Sequence, residues 1–162
     1  MSALASTPVR IVLQRVSRAE VRVDNHTVGQ IRTGLLALVG VAEGDTSATA
    51  RTAAARVAGI RLFPSPDDPA RKPIDADLAT VHGAVLAVSQ FTLVADTSRG
   101  RRPGFSGAAD PVSAREVFDE FVATLRDEDI VVRTGTFGAH MEVDLVNDGP
   151  VTVVLDFGAD PA

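Results

Sequence analysis

The sequence predicts an α+β fold: one domain in which a largely antiparallel β-sheet or barrel is covered by two helices. Three observations carry this. Runs rich in β-branched residues outnumber helical ones and are joined mostly by short turns. Two stretches repeat apolar residues at helical spacing behind a capping residue. The chain has 162 residues, 45% of them apolar and none of them cysteine, which suits a single core held by packing alone and is short for two domains. The domain is expected over residues 9–158, with residues 1–8 as an N-terminal extension.

Taken in order, Val9 to Val16 is rich in β-branched residues, and Val21 and Val23 alternate with Glu20 and Arg22 as a half-buried strand requires. Asp24-Asn25 supplies a turn, and Val28 to Ile31 returns as the hairpin partner. Leu35 to Val41 is an unbroken apolar run, short enough for a strand covered on both faces. Four strands are therefore expected early. From Asp45 the texture becomes Ala-rich, with Ala53, Val57 and Ile60 near helical spacing and Asp45 or Thr46 available as N-cap. Pro64, Pro66 and Pro69 then force a surface loop. Ala84 to Val88 reads as a second buried strand and delivers the chain into Ser89-Gln90-Phe91-Thr92. Asp110-Pro111 reads as N-cap and first residue of the second helix, whose apolar face carries Ala114, Val117, Phe118, Phe121 and Leu125. Ile130 to Arg133, Met141 to Val146 and Val151 to Asp156 complete the strands, with no internal repeat.

Charge and motif content exclude several functions. A net charge of −5 argues against a surface that grips nucleic acid along its whole length, so any phosphate contact must be local. The concentrated positive stretch is Arg99-Gly100-Arg101-Arg102, which reads either as a phosphate contact or as a solvated loop. No apolar run reaches the roughly 18 residues of a membrane span, and no secretory signal opens the chain, so a cytoplasmic protein without a membrane partner is expected. The three histidines, His26, His82 and His140, lack metal-ligand spacing, and phosphate-binding glycine loops are missing. No metal and no cofactor are expected. Ser89 and Thr92 carry hydroxyls at a strand end without a neighbouring base. By pattern alone they end the strand and bond their own backbone as readily as they react.

Two segments give this a sharper meaning. Ser89-Gln90-Phe91-Thr92-Leu93-Val94-Ala95-Asp96 and Asn147-Asp148-Gly149-Pro150-Val151-Thr152 resemble, in order and separation, the paired signature motifs of the D-aminoacyl-tRNA deacylases. Leu13-Gln14-Arg15-Val16-Ser17-Arg18-Ala19, Gly40-Val41-Ala42-Glu43-Gly44-Asp45 and Arg99-Gly100-Arg101-Arg102-Pro103 also look like that family, and the resemblance covers nearly everything from Val9 to Asp156. The segment Ala70 to Asp75 lacks the family's usual Met-Asn, and Gly104 stands where Ser is commoner.

The resemblance implies a hydrolase that cleaves the ester between a D-amino acid and the 3′ end of tRNA, rejects L-aminoacyl-tRNA and accepts glycine misattached to a tRNA for alanine. It implies that the N–H groups near Phe91 and Thr92 face the oxyanion, that Ser89 and Gln90 fix the loop, and that the Thr92 hydroxyl is a secondary candidate nucleophile. Substrate-binding candidates are Asn147, Gly149, Pro150, Phe137, Met141 and Arg15. Gly149-Pro150, which base rates alone would make a trans turn, is implied to be cis and to enter the site of a second subunit, so that a homodimer shares its active sites. Phe137 and Met141 resemble positions near the terminal adenosine and are otherwise core residues. A non-catalytic RNA- or metabolite-binding homo-oligomer, or a structural domain whose Gly-Pro is only a turn, remains the alternative.

Overall fold

Strand β1 (Val9–Val23) organises the molecule, because both of its edges are paired along most of its length. The computed structural model describes residues 9–157, so the extension expected at 1–8 and the domain limit at 158 lie outside the described residues. On one edge β1 pairs with β2 (His26–Ile31) and β3 (Gly34–Gly40), and on the other with β6 (Glu142–Phe157), all antiparallel. From β3 the chain crosses through helices α1 (Ser47–Gly59) and α2 (Leu78–Val81) and returns as β4 (Ala84–Ser89), parallel to β3. After α3 (Pro111–Asp127), β5 (Val132–Thr134) adds parallel to β4. The sheet is thus mixed, three antiparallel pairings and two parallel ones, in the order β2-β1-β3-β4-β5 with β6 on the far side of β1. The parallel pairs follow from helical crossovers, which bring the chain back in the same direction.

The curl nearly closes where β2 meets β5. A Cβ on Gly29 would collide with the Thr134 carbonyl oxygen, so this approach requires glycine. Each face of the sheet has its own core. Ile11, Leu13, Leu35, Ala37, Val39, Val85 and Ala87 pack under α1 and α3, while Val16, Val21, Ile31, Leu36, Leu86 and Val88 fill the inside of the curl. That double coverage is why β3 and β4 read as continuous apolar runs.

Thr46 is the N-cap of α1 in a capping box with Thr49, and Asp110 caps α3 by accepting from the N–H groups of Val112 and Ser113, with Pro111 in the first turn. The two long helices stand as the sequence predicts. The one-turn helix α2 was not anticipated, being too short to show a period, although Asp77 caps it. Two further expectations are corrected. The two separate strands expected between Val9 and Val23 are one strand, in which exposed Ser17 and Arg18 mark a register shift between Val16 and Arg18. Likewise the strands expected at Met141 to Val146 and Val151 to Asp156 are one, because Gly149-Pro150 bulges out of β6 without ending its pairing to β1.

Candidate active site

Beyond the last β4 pair, the Gln90 N–H still donates to the Val39 carbonyl at 2.8 Å, and the chain then tightens into a 3₁₀ turn, Phe91–Val94. Gly40 makes room for it. A Cβ there would meet the Leu93 Cβ at 2.9 Å and the Gln90 carbonyl oxygen at 3.0 Å. The first donor of the turn is the Leu93 N–H, to the Gln90 carbonyl oxygen at 3.3 Å. The N–H groups of Phe91 and Thr92 precede this ladder, receive no side-chain cap, and have no acceptor among the described residues. The Gln90 side chain donates Nε2–H to the Thr92 Oγ1 at 3.1 Å, tying the two residues together.

These residues form one wall of a cavity of about 440 Å³. Ser89, Gln90, Phe91 and Thr92 line it on the first side, and Ala108, Ala109, Pro111 and Ala114 on the second, where the chain enters α3. Phe137, Gly138, Ala139 and Met141 from the β5–β6 connection form the third side, with Val41 between. The second wall is pinned to the strand region by hydrogen bonds from Ala109 N–H to the Val41 carbonyl (3.1 Å) and from Glu43 N–H to the Gly107 carbonyl (2.8 Å). Asp45 supports the same corner by accepting from the Ala42 N–H at 2.8 Å, and burial pushes its carboxyl above the ordinary 3.8 against that bond. Phe137 is held by Phe118, 6.3 Å between ring centroids, and by the Arg115 guanidinium 5.7 Å from its own. Among the described residues, no Asp, Glu, His, Lys or Arg lines the cavity. Among the described residues, no cluster of three His, Cys, Asp or Glu side chains could hold a metal.

The second motif stands elsewhere. Opposite Arg15, the register of β6 jumps from Thr152 to Asn147, so residues 148–151 project as a bulge. Its support comes from behind. Buried Arg15 donates from Nε to the Asp148 carbonyl at 2.9 Å and from Nη1 to the Leu62 and Pro73 carbonyls at 2.8 and 3.1 Å. Asn147 accepts from the Val151 N–H through Oδ1 (3.0 Å) and donates through Nδ2 to the Thr152 Oγ1 (2.8 Å). Gly149 has φ +135°, a region closed to side chains, and a Cβ would lie 3.0 Å from the Arg15 Nη2. The Gly149-Pro150 peptide is cis, and both residues are exposed.

A family model described as D-Tyr-tRNA(Tyr) deacylase matches residues 12–156. The chain belongs to that family. It is 51% identical over 148 residues to a D-aminoacyl-tRNA deacylase of Deinococcus radiodurans, covering 91% of this chain and 99% of that one. A relative of the same name from Kocuria rhizophila is 52% identical over 149 residues, covering 91% and 93%. Among solved structures, that of a c-Myc DNA unwinding element binding protein superposes with TM-score 0.85 at 30% identity, covering 93% of this chain and 99% of that one. A probable eukaryotic D-amino acid tRNA deacylase shares the fold at TM-score 0.76 and 19% identity, covering 91% and 98%.

In this deacylase-family chain Ser89, Gln90, Phe91, Thr92, Phe137 and Met141 meet at one cavity. Asn147, Gly149, Pro150 and Arg15 do not line it and gather instead at the bulge, where Arg15 braces backbone carbonyls. Sequence reasoning missed the small-residue wall of Ala108, Ala109 and Ala114, as well as Gly40. The Gly-Ala-Ala run before the α3 cap was the available signal, since side chains that small leave space beside a helix start.

Proposed function

We propose that this protein hydrolyses the ester of D-aminoacyl-tRNA in the cytoplasm, with backbone donors and the substrate's own 2′-hydroxyl carrying the chemistry. One observation supports this above others: Phe91 and Thr92, whose N–H groups have no acceptor among the described residues, line a cavity to which none of the described residues contributes an ionisable side chain. Water adds to the ester carbonyl, and the developing oxyanion accepts from the Phe91 and Thr92 N–H groups. The 2′-hydroxyl of the terminal adenosine relays the proton from water to the leaving 3′-oxygen, a role usually given to a protein base. Ser89 and Gln90 hold the turn, and Phe137 and Met141 offer an apolar wall to the adenosine.

The bulge completes the site in a second copy. It is exposed, braced from behind by Arg15 and Asn147, and separate from its own chain's cavity, which favours a homodimer in which Gly149 and Pro150 enter the partner's cavity. Their carbonyls accept the substrate's α-amino group and leave no room for an L side chain, so L-esters are rejected by exclusion. Glycine has nothing to exclude, and glycyl-tRNA, including that of a tRNA for alanine, is cleaved. Residues 9–158 form the catalytic domain in this reading, with 1–8 as an extension.

The test is ester loss from D-Tyr-tRNA with purified protein. Acceleration over the spontaneous rate is expected, whereas the spontaneous rate itself would leave a non-catalytic RNA- or metabolite-binding oligomer. A D-Tyr-tRNA ending in 2′-deoxyadenosine tests the proton relay and is expected to react slower by about 10²-fold or more.

A further inference from the structure

Next to the first wall of the cavity, the chain leaves the 3₁₀ turn and makes a tight excursion. Asp96 and Gly104 exchange two backbone hydrogen bonds, 2.7 and 2.8 Å, and pinch the loop between them. Its tip carries Arg99, Arg101 and Arg102, all exposed and without an ion-pair partner among the described residues. The loop's one carboxylate, Asp96, is turned to local backbone, accepting from the Ser98 N–H (2.9 Å) and hydroxyl (2.6 Å). Immediately after the pinch, Phe105 packs edge-on against Phe91, with ring centroids 5.1 Å apart. Both rings are open to solvent, Phe91 at 58% and Phe105 at 36% exposure. Phe91 also lines the cavity, so the aromatic pair links its rim to the arginine loop.

We propose that the Asp96–Gly104 loop and the Phe91–Phe105 pair form a track for the single-stranded end of the RNA. The arginines hold phosphates upstream of the terminal nucleotide, and Phe105 offers a stacking surface to the base that precedes it. This rests on the deacylase reading of the cavity and adds to it the course of the polynucleotide. Exposed aromatics interleaved with cations are the two elements of single-strand recognition, since every base has a face to stack and every step a phosphate to neutralise. The location matters because the chain carries net −5, so the polyanion is repelled except where cations concentrate. Three cations gathered in one loop beside the cavity also orient the RNA, leading its 3′ end inward.

The experiment compares two esters of the same amino acid, D-Tyr-tRNA and 3′-O-D-tyrosyl-adenosine, the second lacking every phosphate. A triple variant, Arg99→Ala, Arg101→Ala and Arg102→Ala, is expected to lose about 10-fold or more in kcat/KM on D-Tyr-tRNA through KM. It should match wild type on the adenosine ester, which also shows that it folds. The dependence of log kcat/KM on log salt should become shallower by about 2, three phosphates at roughly 0.7 each. Phe105→Ala should likewise lose about 10-fold on the tRNA ester alone. Lysine at all three arginine positions should restore most of the loss, since phosphate binding here needs charge more than a fork. Unchanged kcat/KM and salt slope in the triple variant, or equal losses on both esters, would overturn the track. If wild type cleaves neither ester, the deacylase reading fails by itself. Binding of uncharged tRNA then decides the track: loss in the triple variant supports it, and retention refutes it.

Discussion

Thr92 has a hydroxyl at the cavity wall but no acid or base within that wall to activate it, and its Oγ1 already accepts from Gln90. Replacing it with Ala leaves both proposed oxyanion donors, the Phe91 and Thr92 N–H groups, in the backbone. Thr92→Ala is therefore expected to stay within about tenfold of wild-type kcat, whereas a loss near 10⁴-fold would make the hydroxyl the nucleophile. Gly40 is the opposite case, a residue with no chemistry whose missing Cβ makes room for the 3₁₀ turn that carries the proposed donors. Gly40→Ala pushes on Leu93 and Gln90, and is expected to lower kcat by about 10-fold or more and stability by about 1–3 kcal/mol. Urea unfolding and turnover measured together check this, and an unaffected kcat would mean that the turn tolerates displacement. Arg15 acts from behind the bulge. Its loss strands the buried Leu62 carbonyl, removes a donor from the Pro73 carbonyl and frees Asp148, so Arg15→Ala should cost about 2–3 kcal/mol.

At the scale of elements, the two long helices begin at caps that can be tested. Thr46→Ala removes half of a capping box and should cost about 1 kcal/mol in urea unfolding, independent of pH. Asp110 behaves differently because it is charged. Hydrogen bonds from Ser113, with a further one from the Val112 N–H, hold its carboxyl below the ordinary 3.8. Its folded value is depressed, so its stabilisation is present above 3.8 and disappears as pH falls through the lower folded value. Asp110→Ala should accordingly destabilise α3 at neutral pH and lose that effect in strong acid. An equal effect at both pH values would contradict the ionised cap.

Helix starts were legible in the sequence because capping is local chemistry, read from three or four residues. The apolar runs of β3 and β4 were legible for a similar reason. What the sequence did not disclose is where a strand survives an interruption. Ser17-Arg18 and Gly149-Pro150 look like strand ends, and only pairing to a distant partner shows that they are bulges in β1 and β6. The direction of β4 was hidden as well, being set by the crossover and not by any residue in the strand. At the cavity, motif resemblance singled out Ser89 to Thr92, which line it, whereas Gly40 and the alanines act through the space they leave, which no side-chain inventory reveals.

The molecule as a whole is a nearly closed sheet with helices on one face, a cavity at the end of β4, and a bulge that does not reach that cavity. If the bulge works in a partner, the protein should sediment as a dimer at working concentration, and dilution or an interface change that yields monomers should abolish turnover. A fully active monomer would rule this out. No helix among the described residues is long and apolar enough to cross a membrane. The central claim joins chemistry to chirality, since backbone donors have no preference of their own and selection must come from the shape that surrounds the α-carbon. The most direct measurement is therefore parallel single-turnover hydrolysis of D-Tyr-tRNA, L-Tyr-tRNA and Gly-tRNA by the wild-type protein. The account predicts rapid cleavage of the D and glycyl esters with the L ester left at its spontaneous rate, and rapid loss of L-Tyr-tRNA or resistance of Gly-tRNA would contradict selection by exclusion.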